Sequence, residues 1–189
     1  MIPKKLFLTK GVGYHKERLA SFEEALRKAG IAHLNLVRVS SILPPRCKIV
    51  SRKKGLAFLK PGTITYCVLA DNRIFESSRL ISSSIGVAVP KNPDTYGYLS
   101  EHEGFGQSQK VAGDYAEDLA ATMLATTLGV EFNLEDAWDK KREVYKFSGK
   151  IVRTQNITQA AIGKRDLWVS TVAAAVFCEF SGAEVKKFS

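Results

Sequence analysis

"LWVSTVAAAVFCEF", residues 167–180, is nearly all apolar. It lacks the polar–apolar alternation of a strand with one wet face, so it predicts a strand buried on both faces at the centre of a sheet. Working outward, further strands are predicted at 4–10, 32–39, 63–70, 79–89, 95–102 and 148–157. In 32–39, Leu34 and Leu36 point one way while Asn35 and Val37 point the other. The glycines of "GVG", 11–13, read as a turn. Two helices interrupt the strands. Ser21 and Glu24 form an S-x-x-E capping box, placing Leu19 ahead of the first helix. Phe22, Ala25, Leu26 and Ala29 then line one face, and Gly30 stops it. The second helix fits 108–128, with Val111, Tyr115, Leu119 and Met123 spaced by four and Gly129 beyond its end. The charged stretch 130–147 reads as an insertion. Many strands and few helices predict an α+β sheet sandwich with the helices outside.

A chain of 189 residues is expected to be one domain with a real core. Hydrophobic residues at 45 % and charged residues at 25 % suit a soluble globular protein. No apolar run approaches the roughly 20 residues of a membrane span. The start, MIPKKLFLTKG, lacks a long apolar region and a small-residue cleavage site, and reads as a first strand. Cys47, Cys67 and Cys178 are odd in number and widely spaced, which predicts reduced thiols in a cytoplasm and neither zinc nor a disulfide framework. The formal net charge is +9. Between Glu24 and Asp71 there is no acid, but Arg38, Arg46, Lys48, Lys60 and the block Arg52-Lys53-Lys54 fall there. Without RNP-like aromatics or a helix-turn-helix pattern, this reads as a solvated basic loop rather than a nucleic-acid surface.

Few residues announce chemistry. Lys16 breaks any G-x-G-x-x-G after "GVG", so no phosphate cradle is supported. His15, His33 and His102 lack metal-ligand spacing, and no G-x-S-x-G elbow occurs. Glu101 and Glu103 share one strand face. They read either as a solvated strand end or as a general-acid pair whose repulsion raises one pKa. Glu23 lies off the apolar stripe of its helix, where a solvated acid near the N-terminus is favoured by the dipole. In "NLVRVSSILPPR", 35–46, Ser40 and Ser41 stand between Val39 and Ile42, just before a double proline. They cap a strand before the turn, or they react.

Three stretches together, "SFEEALRKAGIAHLNLVRVSSILPP", "ISSSIGVAVPKN" and "GYLSEHEG", resemble the pyruvoyl-dependent arginine decarboxylases from residue 5 to about 128. The apolar last strand also fits. The resemblance implies a four-layer αββα sandwich of mainly antiparallel sheets. It implies a single domain cut by its own chemistry into residues 1–40 and 41–189. Ser41 would attack the Ser40 carbonyl carbon, turning amide into ester. Elimination and hydrolysis would leave a pyruvoyl group at residue 41, with Asn35 matching the asparagine near the cleavage point. That ketone would replace pyridoxal phosphate, with no metal, by forming a Schiff base with the amine of L-arginine and accepting electrons as CO2 leaves. Glu101 matches the proton donor, which requires a raised pKa, and Glu103 a supporting acid. Glu23, Leu26 and Ser40 match substrate-pocket positions, with Glu23 standing where the family carries an aspartate. The product would be agmatine, a polyamine precursor, made by a cytoplasmic homotrimer with active sites between subunits. Two alternatives remain: a pyruvoyl decarboxylase of another amino acid, and an uncleaved basic nucleic-acid-binding protein of the same fold.

Overall fold

The computed structural model describes residues 1–130 and 149–181. Nearly all of the charged stretch read as an insertion lies outside them. Strands and helices are numbered in chain order. One sheet runs β2 (Asn35–Arg38), β5 (Ile64–Ile74), β9 (Trp168–Phe180), β1 (Pro3–His15), β4 (Lys48–Val50). The other runs β3 (Ile42–Leu43), β7 (Gly97–Phe105), β6 (Leu80–Pro90), β8 (Ile151–Ile162). The apolar run is thus the middle strand of the five-stranded sheet. Both of its faces are buried: Val172, Ala174 and Val176 on one side, Ala173, Ala175 and Phe177 on the other. Only β1–β4 and β2–β5 pair in parallel; the other pairings are antiparallel.

Three cores separate four layers. Helix α1 (Arg18–Ala29) packs Ala25 and Ala29 on Phe7, Val172 and Val176. The two sheets meet through Leu6, Val68, Ile85, Val87, Leu99 and Phe177. Helix α3 (Gln109–Thr127) closes the far side with Ala120, Ala121 and Leu124 on Ala88. The arrangement is an αββα sandwich.

Three expectations need correcting. "GVG" is no turn but the end of β1, and its glycines are there for closeness. A Cβ on Gly13 would sit 2.0 Å from the Ser21 carbonyl oxygen, so α1 lies almost on the strand backbone. Nor is there a capping box. Helix α1 begins at Arg18 with Leu19 inside it, exposed to solvent. The Ser21 hydroxyl meets Ser170 Oγ at 2.7 Å, and Glu24 accepts the Tyr14 N–H at 3.1 Å. Tertiary partners took both side chains. Finally, α3 keeps its predicted length but not its predicted core face: Val111 and Tyr115 are exposed and Leu119 and Met123 only half-buried. Its buried face is mostly small, with Ala112, Gly113, Ala116, Ala120, Ala121 and Ala125 beside Glu117 and Leu124. Small residues are required because a Cβ on Gly86 of β6 would lie 2.0 Å from the Ala116 carbonyl oxygen. Gly30 does end α1, at φ 77°, where its N–H reaches the Arg27 carbonyl.

Candidate functional site

Strand β2 is a short edge strand that ends at Arg38, where the Val39 N–H still donates to the Cys67 carbonyl at 3.0 Å. The chain then leaves the five-stranded sheet and enters the other as β3, with Ile42 opposite Tyr98 and Leu43 opposite Gly97 on β7. Ser40-Ser41 is the crossing. The double proline that follows has no N–H to extend a ladder, which keeps β3 short.

The crossing has a defined geometry. The Ile42 N–H donates to the Ser40 carbonyl at 2.9 Å, closing a three-residue turn over Ser41. The Ser41 carbonyl accepts the Leu99 N–H at 2.8 Å, so residue 41 is pinned to β7. The Ser41 hydroxyl donates to Glu101 Oε2 at 2.8 Å. Two residues sixty positions apart are thereby brought into direct contact, both half-buried. The bond follows from register. Leu99 sits beside residue 41, and period two places Glu101 next along the same face.

The remaining candidates lie elsewhere. Glu103, next along the same strand face, accepts the Asp71 N–H at 3.3 Å on the neighbouring sheet. The Asn35 amide donates to the Gly62 carbonyl at 2.9 Å, so no fold-back brings it to the serines. Glu23 is paired with Arg27 one turn along α1, Nε to Oε1 at 2.6 Å. Leu26 packs beside the core under α1. Ser40 borders a cavity of about 360 Å³ together with Val39, Ile42, Tyr66, Phe177 and Phe180. Glu23 lines different hollows, with His33 and Gly30 on one side and with His15 and Lys28 on the other. Within one chain Glu23 and Ser40 share none of these cavities.

Asp71 was invisible to sequence reasoning. Its carboxylate holds Arg38, and its other oxygen holds Arg73 Nη2 at 2.6 Å. The first acid after a long basic interval was the one available signal. Cys47 and Cys67 are inert by environment: burial pushes their thiols up, to about 12 and about 11. No three His, Cys, Asp or Glu side chains converge as metal ligands among the described residues, and no described helix is long and apolar enough to cross a membrane.

The family described as pyruvoyl-dependent arginine decarboxylase matches residues 5–182. The chain belongs to that family. Among its relatives is "Pyruvoyl-dependent arginine decarboxylase 2" of Methanosarcina acetivorans, 61 % identical over 94 % of this chain and 97 % of its own. "Probable pyruvoyl-dependent arginine decarboxylase" of Chloroherpeton thalassium is 58 % identical, over 93 % of this chain and 97 % of its own. "Pyruvoyl-dependent arginine decarboxylase" of Nitrosopumilus maritimus is 54 % identical over the same shares. This chain is thus similar end to end to the decarboxylases so named.

Proposed function

We propose that this chain is a self-processing decarboxylase that converts L-arginine to agmatine and CO2, using a pyruvoyl group made from Ser41. The observation that carries the reading is the Ser41 Oγ–Glu101 hydrogen bond, set in a turn whose Ser40 carbonyl is already bonded to the Ile42 N–H.

The turn suits the first step. Glu101 accepts the Ser41 O–H and so holds Oγ in a fixed direction. As Oγ bonds to the Ser40 carbonyl carbon, negative charge grows on the carbonyl oxygen. The Ile42 N–H already points at that oxygen and stabilises the charge without reorganising. The C–N bond then breaks, the residue 41 nitrogen gains the proton that Oγ lost, and an ester remains. Removal of the residue 41 α-hydrogen expels Oγ within the Ser40 carboxylate. Hydrolysis of the resulting enamine releases ammonia and leaves a ketone. The Ser41 hydroxyl supplies both the nucleophile and the leaving group; alanine supplies neither.

A carbonyl at residue 41 fits the residues present. Its backbone is fixed by Leu99, and the side of residue 41 that loses its hydroxyl faces Glu101. The group supplies an electrophilic carbonyl that takes up an amine and draws off the electron pair released with CO2. Glu101, reprotonated from solvent, would then give its proton to the substrate carbon that CO2 leaves. For the other end of the substrate, a carboxylate with paired acceptor oxygens is required. Glu23 already holds the guanidinium of Arg27 through one oxygen, which supports the match of group to group. Because Glu23 and Ser40 line different cavities, the reading includes a homotrimer in which neighbouring protomers complete each site, with Leu26 and Ser40 lining it. Asn35 enters by sequence match alone. The cytoplasm is the proposed compartment, consistent with the buried, unpaired cysteines.

A denaturing mass spectrum with a CO2-release assay tests the proposal. Two chains divided between Ser40 and Ser41, and release from arginine, are expected. A single intact chain, or release from lysine or ornithine in preference to arginine, would overturn it.

A further inference from the structure

Cleavage after Ser40 would leave β2 as the last regular element of the short chain. Its backbone pairs with β5 from Asn35–Ile64 to Arg38–Cys67. Beyond Cys67, no described strand pairs with that edge of β5. Asp71 stands on this open stretch with its side chain only 11 % exposed. It contacts two other elements directly and a third through Arg73. Its carboxylate pairs with Arg38 at the end of β2. Its N–H donates to Glu103, two residues past Glu101 on β7. Its second oxygen holds Arg73, whose guanidinium lies 3.6 Å from the ring centroid of Phe22 on α1, the residue before Glu23.

We propose that Asp71 is a positioning residue that keeps the cut end of the short chain seated against the strand carrying Glu101. The proposal rests on self-cleavage at Ser41. In the uncut chain the Ser40–Ser41 bond itself joins β2 to β3 and so to β7. Once that bond is gone, the Arg38–Asp71 pair is a charged link beside the cut. Arg38 and Arg73 share the Asp71 carboxylate beside Glu103, and the new Ser40 carboxylate forms two residues from Arg38, adding a further anion near that guanidinium. The divided site then splits its duties: Ser41 and Glu101 belong to the long chain, while Ser40 and Glu23 belong to the short one. Loosening the clamp therefore weakens substrate binding more than chemistry.

The test starts with denaturing mass spectra of wild type and Asp71→Asn, which keeps the backbone N–H and the shape but removes the charge. Both are expected as two chains. Uncut wild type overturns the self-cleavage reading and the clamp with it. An uncut Asp71→Asn beside cut wild type overturns the clamp alone, since the carboxylate then acts before the cut. Amide exchange of residues 37–39 is next measured in two backgrounds, the cut protein and Ser41→Ala. Asp71→Asn is expected to speed exchange about tenfold in cut protein, the worth of a partly screened charged hydrogen bond, and less than twofold in Ser41→Ala. Equal acceleration in both backgrounds, or none in cut protein, overturns the proposal. The KM for arginine is expected to rise about tenfold with kcat within threefold, and a fall in kcat at constant KM overturns it. Arg38→Gln, at an exposed side chain that tolerates change, must reproduce these effects, and Arg38→Lys must largely reverse them. This pair keeps the proposal open to refutation even if Asp71→Asn fails to fold.

Discussion

Replacing Glu101 by glutamine separates the two duties that the Ser41–Glu101 contact combines. The amide is nearly isosteric, and its oxygen can accept the Ser41 O–H at the 2.8 Å seen for the carboxylate. What is lost there is charge assistance, since bonds to ionised groups are roughly twice as strong as neutral ones. That difference is about 1 kcal/mol, so the turn is retained and cleavage into two chains is expected to go on, slowed by no more than about tenfold. Turnover is another matter, because an amide has no proton to give. A positioned general acid is worth roughly 10²–10⁴ in rate, or about 3–5 kcal/mol of barrier. Saturating CO2-release kinetics on the fully cut variant should show that loss in kcat. A kcat within a few-fold of wild type removes Glu101 as the proton donor. A Glu101→Gln protein that stays uncut shows instead that the acyl shift needs a base and not merely an acceptor, which refutes the division of roles.

Ser41→Ala should remain one full-length chain without activity, and any processed product in its mass spectrum contradicts the assignment. Glu23→Gln should raise the KM for arginine roughly tenfold, the low end for a charged bond because its side chain is 43 % exposed, with cleavage unaffected. Glu23→Asp, the residue that the family resemblance implies at this position, should preserve turnover, and unchanged kinetics in both variants would make Glu23 a solvated acid only. Gly13→Ala forces a methyl against the backbone of α1, and should cost about 1–3 kcal/mol of stability, seen as a lower denaturant midpoint with the slope unchanged. The Cys47 thiol ordinarily ionises at 9.0, and burial pushes it up to about 12. The unfolded chain therefore loses this proton first, so stability is intact below pH 9 and declines between pH 9 and 12. Alkylation of native protein at pH 9 should lag well behind that of unfolded protein.

The sequence was most readable where a segment's composition alone decides its place. The apolar 167–180 run could only be a doubly buried strand, and β9 is one. It was least readable where two elements press closely together. The apolar spacing of Val111 and Tyr115 looked like a core stripe, but where the helix lies against Gly86 the residue beneath it is Ala116, and the close approach leaves room for little more. Ser21 and Glu24 satisfied a local motif and were recruited by Ser170 and Tyr14 instead. At the candidate site, the serine pair stood out as a motif. That Glu101 touches Ser41 depends on the pairing of β3 with β7, which no local pattern encodes. Asp71 depends on three elements at once and left almost no trace.

The Ser41–Glu101 bond also bears on time. In the proposed conversion, the oxygen occupying Glu101 departs inside the Ser40 carboxylate, in the same event that creates the electrophile. The precursor is therefore its own first occupant, and each molecule vacates its acid once and irreversibly. Nucleophile, carbonyl and acceptor all belong to one chain, so the maturing step should be first order and indifferent to dilution. Freshly synthesised protein would then accumulate ahead of its activity by a fixed half-life, and a cell could set the number of working sites through the age of the protein as well as its amount.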